Sequence, residues 1–117
     1  MRTIGVTTDT LARSLTATAS GSIAAGAPVV VNVNGTVSAV GGGNLTSENF
    51  IGFAPSGVAD TANAVIDTQG AVNVRQSGLT PGLSYYVLGT GAISTTPGTP
   101  SVFAGTAVTP TKLIVKG

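Results

Sequence analysis

Residues 28–40, PVVVNVNGTVSAV, constrain the fold more than any other stretch. Four of the five residues from Val29 to Val33 are valine, and β-branched side chains this dense lose too much χ1 freedom in a helix. Extended backbone suits them, with Val29, Val31 and Val33 on one side and Val30 and Asn32 on the other. Asn34-Gly35 follows, and both residues tolerate the positive φ of a type I′ turn. Thr36 to Val40 then alternates back. The pattern predicts a β-hairpin over 28–40.

The same kind of device recurs along the chain. Thr80-Pro81-Gly82-Leu83 is a type II turn signal, with proline presetting φ and glycine accepting its positive value. Tyr85 to Leu88 are strand formers, Gly89-Thr90-Gly91 turns again, and Ala92-Ile93-Ser94 can pair back. Phe50 to Ala54 reads as a strand with Phe50 and Phe53 as core anchors and Gly52 at a bulge or close backbone approach. Ala64 to Asp67 is a strand and Thr68-Gln69-Gly70 a turn. Ala71 to Arg75 alternates, with Val72 and Val74 expected to point inward. Val102 to Val108 is a strand broken at Gly105, and Lys112 to Lys116 a closing strand whose flanking lysines suit a sheet edge. Asn44 to Asn49 is polar, with a short helical turn capped by Asn44 or Thr46 expected. No exact internal repeat is visible. The expectation is an all-β fold: one small β-sandwich or β-barrel-like domain of about eight or nine short strands over 21–117, preceded by an N-terminal arm over 1–20.

The arm is the part that does not fit the turn-and-strand rhythm. Ile4, Val6 and Thr8 alternate as in a short strand, while Leu11 and Leu15 are spaced as on one helix face behind Asp9 and Thr10 as caps. This apolar content exceeds what a solvated tail needs, so Ile4, Val6, Leu11 and Leu15 are candidate contacts to a neighbouring chain. The first fourteen residues lack the apolar core of a signal peptide.

Charge is scarce. Only 8% of the 117 residues are charged and the net charge is +1. Soluble monomers carry more, so a surface this neutral points to burial against partner chains. The basic residues Arg2, Arg13, Arg75, Lys112 and Lys116 are scattered, which argues against nucleic-acid binding. Apolar runs are too short to span a membrane as helices.

The inventory also restricts chemistry. Histidine and cysteine are both absent, which removes the commonest general base, the sulfur nucleophile and the thiolate and imidazole metal ligands. Asp60 and Asp67 are the one carboxylate pair available to act on a glycosidic bond, though solvated turn aspartates explain them more simply. Asp60-Thr61-Ala62-Asn63 offers oxygen ligands without the spacing of an EF-hand. The glycine clusters 41–43 and 89–91 lack a phosphate-loop pattern. Tyr85 and Tyr86 point to opposite faces of a strand, so one of them anchors the core and Tyr86 is the candidate outward contact. No catalytic, cofactor or metal residue emerges, and a structural or binding role is expected.

The order of motifs in 21–40 (GSIAAGAPVVVNVNGTVSAV), 50–60 (FIGFAPSGVAD), 78–94 (GLTPGLSYYVLGTGAIS) and 103–115 (FAGTAVTPTKLIV) resembles a β-module of tailed-phage structural proteins. It is found in small capsid decoration (cement) proteins and in tail-fibre-like proteins, and Phe103 to Ala107 resembles the last strand of lambdoid head decoration proteins. The resemblance leaves the first twenty residues uncovered. It implies a β-rich homotrimer bound to the major capsid protein lattice, made in the host cytoplasm and resident on the virion surface, with no catalytic residue to carry over. The alternative it leaves open is a tail-fibre or receptor-binding module that recognises host glycans.

Overall fold

The computed structural model describes residues 14–116. The described residues contain no helix and ten strands: β1 (Ser14–Thr18), β2 (Pro28–Val31), β3 (Val37–Ala39), β4 (Phe50–Phe53), β5 (Asn63–Asp67), β6 (Val72–Asn73), β7 (Ser84–Leu88), β8 (Ile93–Ser94), β9 (Ser101–Thr109) and β10 (Lys112–Val115). They form two five-stranded antiparallel sheets, ordered β1-β5-β4-β2-β3 and β6-β10-β9-β7-β8. The fold is the expected small all-β domain. Its sheets also share one plan: in each, the first strand lies at an edge, the fifth beside it, then the fourth, second and third.

The repeat extends to single residues. Val29 opposes Gly52 and Val30 opposes Phe50 in the first half, as Tyr85 opposes Gly105 and Tyr86 opposes Phe103 in the second. Each ladder slips at that point, so one extra residue, Ile51 or Ala104, bulges out of the central strand. The bulge puts Phe50 and Phe53 on one face despite their spacing of three; their rings meet edge to face at 5.6 Å. A glycine follows each bulge for a steric reason. A Cβ on Gly52 would overlap the Asp67 carbonyl, and one on Gly105 would overlap the Ile114 carbonyl. The turn before the second strand recurs as well. Ala27 N–H donates to Ala24 C=O at 3.1 Å and Leu83 N–H to Thr80 C=O at 3.2 Å, with Gly26 and Gly82 at positive φ. The type II turn expected at Thr80–Leu83 forms, and 24–27 is its counterpart.

The halves differ in how they bury themselves. In the first, the chain beyond β1 meets β3 at the opposite edge of the sheet through a parallel bridge between Ala19 and Val37, with Ser20 N–H donating to Val37 C=O at 2.8 Å. The sheet thereby rolls up on its own core of Ala19, Ile23, Val29, Val37, Ala54, Ala64 and Ile66. Small side chains allow that tight curl. In the second half Tyr85, a much larger side chain, takes the place of Val29, while Leu79 stands for Ile23 and Leu113 for Ile66. No bridge joins its two edges among the described residues. Its inner face is instead covered by the outer face of the first half, where Val30, Val40, Leu45 and Phe53 pack with Tyr85, Val87, Ala104, Ala107, Leu113 and Val115.

Several expectations need correction. The hairpin at 28–40 forms, but not with a type I′ turn. Asn32 N–H donates to Thr36 C=O (2.8 Å) and Gly35 N–H to Asn32 C=O (3.0 Å), and only Gly35 has positive φ, so the loop has three residues and ends in a bulge. The 88–92 loop has the same two bonds, Leu88 to Ala92 and Gly91 to Leu88. Val72 and Val74 point outward and Asn73 inward, one residue out of the expected phase. The lysine-flanked β10 is not an edge; it lies between β6 and β9. Gly105 bends β9 without ending it. The short turn expected at 44–49 does form, over 47–49, with Thr46 as its cap: Thr46 Oγ1 accepts from Glu48 and Asn49 N–H, while Asn49 Oδ1 accepts from Thr46 N–H.

Candidate functional site

The surface that stands out is the outer face of the second sheet. Ladder neighbours share a face, so the pairs Tyr86–Phe103, Ser84–Thr106, Thr106–Ile114 and Ile114–Val72 run across it from β7 to β6. Tyr86 and Phe103 meet edge to face at 5.9 Å. Phe103 is 39% exposed, Val72 44%, Val74 51% and Val108 52%. The equivalent face of the first half holds Val30, Phe50 and Phe53, with Val30 and Phe53 fully buried against the second half. One type of surface is therefore covered in one copy of the plan and open in the other.

The tyrosines divide as expected from a strand. Tyr85 is 6% exposed, and its hydroxyl accepts from Thr80 N–H at 2.8 Å, tying the type II turn to the core. Tyr86 takes the outer face. Leu15 lies on β1 opposite Ile66, on a strand rather than a helix, and is 39% exposed. β1 thus begins inside the stretch read from sequence as an arm. Ile4, Val6 and Leu11 lie outside the described residues.

A polar seam locks the halves together. Asn73 is the buried polar residue among the described residues, at 0% exposure. Its amide donates to Ala54 C=O (3.1 Å) and to Asp67 Oδ2 (3.0 Å), and its Oδ1 accepts from Arg75 N–H (3.1 Å) and Gln76 Nε2 (3.0 Å). Gln76 Nε2 also donates to Gly26 C=O (2.9 Å), and Arg75 Nε to Pro55 C=O (3.1 Å). Every polar atom of Asn73 is satisfied, which is what allows an amide in the core. Burial pushes the Asp67 carboxyl above its usual range, and the Asn73 hydrogen bond pulls less strongly the other way.

The two aspartates weighed as a catalytic pair have separate structural partners. Asp60 Oδ1 accepts from Gly21 N–H at 2.8 Å, while Asp67 is held by Asn73. Among the described residues no three Asp or Glu side chains gather as a cation site. A shallow cleft of about 330 Å³ is lined by Gly43, Leu88, Gly89, Thr90, Gly98, Thr99 and Pro100, and carries no ionisable group. The outer face escaped sequence reasoning because Phe103 and Val72 are far apart in the chain and Val72 was phased inward. Only Tyr86 signalled it. No protein-family model matches the chain, and no curated protein matches it.

Proposed function

We propose that this chain is a structural virion protein that decorates and stabilises a phage capsid, as a homotrimer seated on the major capsid protein lattice. The observation that carries the reading is the open outer face around Tyr86 and Phe103. It is a sheet surface of the kind the molecule itself buries in its first half, and it offers shape and apolar area rather than reactive groups. The scarcity of charge supports the same reading, since surfaces buried in assemblies are depleted of it. The motif order shared with phage decoration modules supplies the capsid as the partner. In this reading Tyr86 and Leu15 contact neighbours, and Ile4, Val6 and Leu11 add an extended segment to a neighbouring sheet edge through main-chain hydrogen bonds.

Co-sedimentation with capsids tests it. Full-length protein is expected to saturate capsids at a fixed ratio to the major capsid protein. Deletion of residues 2–12, which spares β1, lowers occupancy. Absence of capsid binding by the full chain overturns the reading, and unchanged occupancy after the deletion removes the arm from it.

A further inference from the structure

We infer that the outer face of the second sheet docks onto the first half of a second copy, head to tail. The contact gives the homotrimer proposed above its surface and rests on that reading for the closed form of the assembly.

Charge identifies the occupant. The described residues of the first half carry Glu48, Asp60 and Asp67 and no Lys or Arg; those of the second carry Arg75, Lys112 and Lys116 and no Asp or Glu. The described residues of each half therefore carry three charges, of opposite sign, and Arg2, Asp9 and Arg13 outside them leave the first half net negative. Two copies meeting through their second halves would bring like charges together. A second half meeting a first half brings opposite ones together. Lys112 opens β10 two residues before Ile114, on the same side of the strand, and so borders the apolar face.

The fold adds a second argument. Within one chain, Val30, Phe50 and Phe53 on the outer face of the first half already pack against a half of the same topology. The uncovered counterpart is Tyr86, Phe103 and Thr106, so the molecule contains one worked example of this surface seated on its own module. The internal arrangement cannot be copied unchanged between chains. The inner face of the second half is filled by the first, and the first closes through Ala19 and Val37. The face must then seat on the exposed flank of a neighbour's first half, where Val65 is 47% exposed on β5. A head-to-tail contact repeats until it closes, which makes a ring, or fails to close, which makes a filament.

Sedimentation velocity from micromolar to sub-millimolar concentration tests this on the full chain. Wild type is expected to self-associate, and high salt to weaken the association at least about tenfold. Phe103→Ser is expected to be monomeric with an unchanged circular dichroism spectrum, and Phe103→Leu to associate as wild type does. Val65→Lys and Lys112→Glu are each weakened. The decisive arm mixes Phe103→Ser with Val65→Lys: one intact pair of faces remains, so the mixture forms a one-to-one dimer and stops there. A wild type that stays monomeric at low salt overturns the inference, as does association unaffected by Phe103→Ser and Lys112→Glu, or a mixture that forms no dimer. If Phe103→Ser fails to fold, Lys112→Glu with the salt series decides in its place. Capsid occupancy is scored separately: a chain that decorates capsids without self-association refutes this contact and leaves the virion reading standing.

Discussion

Ala54 and Ala107 occupy the same place in two copies of one five-stranded sheet, and different things bury them. Around Ala54 the first half has rolled up until its own edges meet. Around Ala107 the second half has stayed open, and side chains of the first half fill the gap. The difference follows from side-chain size. Alanine at 17, 19 and 64 lets the first sheet curl tightly, whereas Tyr85, in the place of Val29, holds the second open. Where β1 runs on to the bridging Ala19, β6 continues into Arg75-Gln76, whose side chains bond back to Pro55 and Gly26 of the first half. The second half is thus tied to the first rather than closed on itself. Its outer face, with no third half to cover, is left to solvent.

Substitutions at equivalent positions break or sharpen this comparison. The largest effects fall where the halves are alike. Gly52→Ala and Gly105→Ala each force a methyl group into a backbone carbonyl of the adjacent strand, and each should cost about 3 kcal/mol or more by chemical denaturation. A mild effect at one and a severe effect at the other would show that the bulges are not equivalent. Next comes a pair that should differ. Phe53→Ala empties a buried site and should cost about 3–5 kcal/mol, while its counterpart Thr106→Ala should stay within about 0.5 kcal/mol in dilute solution.

Asn73→Leu removes the seam and leaves the Arg75 amide without its partner; a loss of about 1–3 kcal/mol is expected. The smallest effect concerns Asp67, whose counterpart is Ile114. Its carboxyl titrates above the ordinary value of 3.8 in the folded chain, because burial disfavours the charge. The folded state therefore holds this proton more tightly than the unfolded one. The associated stability is fully present below that ordinary value and is lost as pH rises through the folded pKa. Denaturation of wild type and Asp67→Asn over this range should show wild type losing ground to the variant as pH increases. Wild type gaining on the variant as pH rises would contradict the assignment.

Local chemistry was legible in the sequence wherever neighbours along the chain decide the outcome. The 28–40 hairpin, the Thr80–Leu83 turn and the close approach at Gly52 were all readable from turn residues and β-branched runs. The inward phase of Asn73 was not, because alternation reports two faces without saying which one is dry. Its burial depends on acceptors and donors at Ala54, Asp67 and Gln76 that only the fold assembles. The position of β10 failed for a related reason: Lys112 and Lys116 flank the strand, but β6, just two residues long, takes the edge. The repeat itself is nearly silent. Phe50-Ile-Gly52-Phe-Ala54 against Phe103-Ala-Gly105-Thr-Ala107 and a few turn glycines are what remain of it. Those residues persist because backbone geometry demands glycine, while core positions accept any apolar group that fills the space. Of the candidate site, Tyr86 alone was visible; Phe103 joins it only through strand pairing.

Native-state hydrogen exchange at equivalent amides tests the central claim most directly. Ala54 N–H donates to Ala27 C=O and Ala107 N–H to Leu83 C=O, both in the same place in the plan, as are the Asn32 and Leu88 amides in the two hairpins. If the first half closes on itself and the second depends on it, the second can open alone and the first cannot open without it. Ala107 and Leu88 are then expected to exchange through a lower-energy opening than Ala54 and Asn32. Faster exchange at Ala54 and Asn32, with Ala107 and Leu88 still protected, would contradict the account.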